Sequence, residues 1–120
     1  MINAIFTAKP KKGTLTMRVS GHAMSAEKGK DLVCASASIL ALTLAQAVAF
    51  ADAEGKLECR PDIQLIEGKA SITATPKDEF RGEILHTFYV IQVGFDLLSV
   101  NFRKYVNLKM FGESLKGFDQ

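Results

Sequence analysis

TPKDEFRGEILHTFYVIQVGFDLLSVNFRKY, residues 75–105, decides the fold class. Ile84, Phe88, Ile91, Phe95, Leu98, Phe102 and Tyr105 follow one another at alternating spacings of four and three. That is one apolar stripe along an α-helix, widened by Leu85, Tyr89, Leu97 and Val100. Thr75, Pro76 and Asp78 supply an N-cap, a proline at the first helical position and an acid in the first turn. A helix of about six turns is long for a small domain. Its far end is therefore expected to be only partly covered and to form a dimer contact.

Upstream, residues 59–67 and 70–75 read as a strand pair joined by Gly68-Lys69, with glycine first as a type II′ hairpin prefers. Pro61 argues that the first of these strands lies at an edge or starts late. Before them, Asp31 has the chemistry of an N-cap, and a helix rich in small residues runs from it to about Ala53, ended by Gly55. Residues 2–8 alternate, with Ile2, Ala4 and Phe6 on one face. Residues 14–20 alternate again, with Leu15, Met17 and Val19 opposite Thr14, Thr16 and Arg18. The turn between them holds Pro10 and Gly13, so these strands form a hairpin. The expected fold is α+β: an antiparallel sheet of about four strands covered by two helices, in the order ββαββα. Its length gives one domain over residues 1–120.

Composition narrows the class. With 48% hydrophobic residues, 23% charged residues and a net charge of +2, the chain has the make-up of a globular protein. The charge is too small to imply direct nucleic-acid binding, and none is expected. Lys9, Lys11, Lys12, Arg18, Lys28 and Lys30 nevertheless make the first 31 residues locally basic, against Glu27 and Asp31. Two cysteines form no disulfide framework, and the N-terminus turns basic too early for a signal peptide. A reducing, cytoplasmic compartment is expected. Residues 32–51 carry no charge and approach the length of a bilayer span. Ser36, Ser38, Thr43, Gln46 and many alanines point instead to a central buried helix, with no membrane partner.

Chemistry concentrates in GHAMSAEKGKDLVCASAS, residues 21–38. With Asp31 as N-cap, Cys34 falls in the first helical turn, where free N–H groups and the helix dipole favour a thiolate. His22, at the end of a strand, could reach that turn as a base, and the same N–H groups could hold an oxyanion. Residue spacing alone also fits a packed thiol behind a surface histidine. Cys34, Cys59, His22 and His86 lack the ligand spacing of a zinc site, so neither metal nor cofactor is expected. His86 reads as exposed and Cys59 as a packed thiol. Asp31 could orient His22 or only cap the helix. Ser38, one turn after Cys34, could bond the imidazole, the thiolate or its own backbone.

Gly21-His22, Gly29, Asp31, Val33-Cys34-Ala35 and Ser38 resemble the pattern of the bacterial ribosomal-processing cysteine proteases, the Prp family. The order of elements is similar too, up to Tyr105. The resemblance implies a homodimeric endopeptidase with Cys34 as nucleophile and His22 as general base. It implies as substrate large-subunit ribosomal protein twenty-seven, made with an N-terminal extension that must be removed. Because that extension is aromatic and apolar at its cleavage site, an apolar groove is expected, with residues 23–30 folding over it and Gly21 and Gly29 as hinges. The alternative is a non-catalytic ribosome-binding or ribosome-assembly factor that uses the basic hairpin.

Overall fold

The computed structural model describes residues 1–9, 13–21 and 30–112. Strands β1 (Ile2–Lys9) and β2 (Thr14–Ser20) form the first hairpin, followed by helix α1 (Lys30–Ala53). A second hairpin, β3 (Asp62–Ile66) and β4 (Lys69–Ala74), leads to a 3-10 turn at Asp78–Phe80, helix α2 (Arg81–Asn101) and strand β5 (Val106–Gly112). The sheet has five strands in the order β3-β4-β2-β1-β5. All neighbours are antiparallel except β1 and β5, which are parallel.

The expectation of four antiparallel strands in the order ββαββα is thus corrected to a mixed five-stranded sheet in the order ββαββαβ. The missing strand is VNLKMFG, which follows the long helix. A parallel neighbour needs a crossover connection, and α2 is that crossover. No short-range hairpin signal could announce it.

Alternation along β1 and β2 puts one face of the sheet under the helices. Ile2, Ala4, Phe6 and Ala8 are buried, as are Leu15, Met17 and Val19. The opposite face is open and polar, with Thr16 and Thr73 hydrogen-bonded across β2 and β4 at 3.3 Å. Val33, Ala37, Ala41, Leu44, Ala45 and Val48 are the buried row of α1. Leu32–Ala53 and Asp78–Asn101 are each long and apolar enough to cross a bilayer by length and composition; in the structure each lays a buried row on the sheet. Where α1 and α2 meet, a Cβ on Gly94 would stand 2.6 Å from Leu40 Cδ2, so a larger residue there would require the Leu40 side chain to move.

Several boundaries differ from the sequence reading. Thr75 and Pro76 do not open a helix: the Thr75 carbonyl accepts the Glu58 N–H at 2.8 Å, and Pro76 bridges Leu57. The backbone there is engaged in pairing, so the helical turn starts at Asp78. The β3–β4 loop is Glu67-Gly68 rather than Gly68-Lys69, since Ile66 pairs with Lys69. Gly68, second in that loop, takes φ 76, a left-handed conformation that glycine adopts readily. Asp31 lies inside α1 and is not its N-cap.

The long stripe is buried over most of its length, and its far end, Phe102 and Tyr105, is only partly covered, as expected. Ile84, Phe88, Ile91, Phe95 and Leu98 are buried, while Phe102 caps the helix and Tyr105 lies beyond it. Leu97 and Val100, expected to widen the stripe, face solvent. A larger uncovered apolar surface lies on the outward side of the helices. Phe95 and Phe6 meet edge to face with centroids 5.9 Å apart. Phe95→Ala should therefore cost about 3–5 kcal/mol, read from the urea midpoint at unchanged m-value.

Candidate active site

A groove of about 390 Å³ runs between α1 and the β3–β4 hairpin. Cys34, Ala37, Ser38, Ala41 and Leu42 line it from the helix, and residues 65–70 line it from the hairpin. Ile2 and Val19 reach it from β1 and β2, and Gly21 reaches it just past β2. The sheet extends beyond the reach of α1 at β4 and β3, and the groove is the space under that overhang. Among the described residues, Cys34 is the first on α1 to line the groove.

Cys34 is half-buried and free, and Ser38, one turn later, is exposed in the same groove. This is the juxtaposition their spacing predicts. The position of Cys34 in its helix differs, however. With α1 described from Lys30, Cys34 is its fifth residue and not in the first turn. The N–H groups without an intrahelical partner belong to the residues before it. The Asp31 backbone lies in α1; its side chain, and all of His22 and Gly29, lie outside the described residues.

The other end of the motif is anchored. Gly21 has φ +101, and a Cβ there would overlap the Met1 carbonyl oxygen. Its N–H donates to the Gly68 carbonyl at 3.0 Å. The chain thus enters residues 22–29 from a point fixed by both the start of β1 and the tip of the second hairpin. His22 is one peptide bond from that point.

The remaining candidates stand apart. Cys59 is exposed, precedes β3 and does not line the groove; it is not the packed thiol expected. His86 is exposed, with its ring tilted against Tyr89. Among the described residues, no group of three or more His, Cys, Asp or Glu side chains is placed to hold a metal ion. Sequence reasoning missed the groove residues themselves: Ala37, Ala41, Leu42 and the hairpin residues 65–70. The helical spacing of Ala37 and Ala41, three and seven residues after Cys34, was the available signal. The hairpin's share depends on tertiary contacts alone.

A thiol lining an apolar groove, on one of two helices packed against a mixed sheet, is an arrangement suited to a peptide hydrolase. Residues 1–107 match the sequence profile of the family described as cysteine protease Prp. The chain belongs to that family. No curated protein matches it. Among solved structures it is similar to the S. aureus ribosomal processing protease Prp in complex with a substrate peptide, at 21% identity and a TM-score of 0.67, covering 92% of this chain and 100% of that one. The same S. aureus protease with a covalently linked product peptide gives 24% identity and a TM-score of 0.69, again covering 92% and 100%. SMU.848 from Streptococcus mutans gives 24% identity and a TM-score of 0.66, covering 94% of this chain and 96% of that one. These structures share the fold.

The anchoring of Gly21 predicts a measurable penalty. Gly21→Ala combines an unfavourable φ with a backbone clash, so it should lower stability by at least about 1–3 kcal/mol, measured by urea denaturation. Gly82→Ala, with open space around its Cβ, should be neutral or stabilising in the same assay.

Proposed function

We propose that the protein is a cytoplasmic cysteine endopeptidase that removes the N-terminal extension of large-subunit ribosomal protein twenty-seven. Cys34 is the nucleophile and His22 the general base. One observation carries this reading: Cys34 and Gly21, the residue immediately before His22, line the same apolar groove. Membership of the Prp family and the likeness to an S. aureus protease crystallised with substrate and product peptides support it.

His22 takes the thiol proton, and the Cys34 Sγ attacks the scissile carbonyl carbon, whose oxygen becomes the oxyanion. Free N–H groups at the start of α1 stabilise that charge. The imidazolium returns its proton to the leaving amine, the C–N bond breaks, and a thioester remains. Water, deprotonated by His22, releases the carboxylate product and restores the thiol. The helix dipole falls off within the first turn, so with Cys34 one turn in, the base does most of the activation. Ser38 supports the imidazole or thiolate, and Asp31 orients His22 or biases the helix start. Gly21 and Gly29 bound the segment that folds over substrate.

The enzyme acts as a homodimer. Leu32, Ile39, Leu42 and Phe50 on α1 and Val90, Val93, Leu97 and Val100 on α2 are exposed. Together they make an uncharged apolar layer on the side of the helices away from the sheet, and a second copy would cover it. Leu97 is 60% exposed, so Leu97→Asp should spare the fold while producing monomers at micromolar concentration. Sedimentation velocity reads this directly, and a monomeric wild type would refute the dimer.

A synthetic peptide spanning the extended N-terminus of the ribosomal protein, followed by mass spectrometry, tests the activity. Cleavage should fall by about a thousandfold or more in Cys34→Ala and in His22→Ala, with melting temperatures preserved. Cys59→Ala should keep most activity; if it alone abolishes cleavage in a folded protein, the nucleophile is misassigned. Binding of that peptide without cleavage would favour the non-catalytic ribosome-binding factor.

A further inference from the structure

The groove is open because small residues line it. Ala37 and Ala41 lie one turn apart on α1, and Ala70 lines the groove from β4. Ala70 stands in register between Leu65 of β3 and Val19 of β2, on the side of the sheet that faces the helices. Helix and strand propensity do not demand alanine at these places. Leucine is nearly as good a helix former, and valine suits a strand better. Larger side chains would also fill the space under the overhang, and filling apolar cavities stabilises folds. The chain instead leaves the space open, with Leu42 and Leu65 exposed at its rim.

We infer that Ala41 and Ala70 are specificity-determining residues, whose small side chains open a subsite for one leucine- or phenylalanine-sized side chain of an extended peptide. This rests on the protease reading above. The subsite has a defined distance from the chemistry. Ala41 follows Cys34 by seven residues, about 10 Å along the helix axis. An extended peptide advances about 3.3 Å per residue, so the bulky side chain lies about three residues from the scissile bond. Leu65 and Val19 contact its flanks. The side chain of the substrate residue, rather than the enzyme's own core, then completes the burial of this part of α1 and the hairpin.

The test uses peptides in which phenylalanine and alanine are exchanged singly at each position within about four residues of the scissile bond. Wild type should prefer phenylalanine in kcat/KM at one position two to four residues away. In Ala70→Val and Ala41→Leu that phenylalanine-over-alanine ratio should fall about tenfold or more, while the melting temperature stays equal or rises. Leu65→Ala guards against a misfolded variant, because Leu65 is 43% exposed; it should lower the same ratio severalfold by removing a flank. Affinity of the Cys34→Ala protein for the same peptides, by fluorescence anisotropy, provides a readout independent of turnover. Cleavage with a ratio unchanged in all folded variants overturns the subsite and leaves the protease reading intact. Peptide binding with the expected side-chain preference, but no cleavage by wild type, overturns the protease reading and keeps the subsite. Neither binding nor cleavage overturns both.

Discussion

Burial of one face of β1 is the constraint on which the rest of this structure depends. β1 lies between β2 and β5, and its inward residues Ile2, Ala4, Phe6 and Ala8 are all sealed from solvent. A slip of one residue would turn Asn3, Ile5 and Thr7 toward the helices and expose Phe6. The ring contact with Phe95 fixes α2 over the same strand. The start of β1 has a second role, because Ile2 reaches the groove and the Met1 carbonyl abuts Gly21. One register therefore fills the core and sets where the chain departs toward His22.

Helix α1 is divided among three environments. One row packs on the sheet, a second lines the groove, and a third faces away from both. Small side chains reconcile these demands. Alanine costs nothing in helix propensity, allows close packing over the sheet centre, and leaves space where the sheet extends beyond the helix. Gly94 does the same for the contact with α2. Leu42 marks the boundary, since it lines both the groove and an outward depression shared with Ile39, Gln46 and Phe50. The proposed substrate site and the proposed dimer face are adjacent surfaces of one helix.

The two thiols show how position decides chemistry. Cys59 is the more exposed, yet it stands outside the groove, before an edge strand. Cys34 is half-covered by apolar neighbours and opens onto a surface that a peptide can occupy. Reactivity toward a substrate requires a held geometry more than simple exposure.

The sequence by itself determined the helices, the two hairpins and the candidate thiol, because each is written in a local period or a spacing. The alternation in β1 and β2, the stripe from Ile84 to Leu98 and the four-residue step from Cys34 to Ser38 were all legible this way. Family membership was legible for the same reason, in a motif of fixed offsets around Cys34. Tertiary structure alone decided the fifth strand and the true start of α2. A parallel partner is chosen by a crossover, and Thr75 and Pro76 are held by pairing with a segment almost twenty residues earlier. It also decided how far the long stripe is covered, since coverage of a helix depends on what packs over it, and burial is complete to Leu98 and partial at Phe102 and Tyr105. The groove belongs to the same class. Its walls come from α1, from the ends of β1 and β2 and from the second hairpin, segments far apart in the chain. Their meeting is a consequence of strand order, which no local pattern encodes.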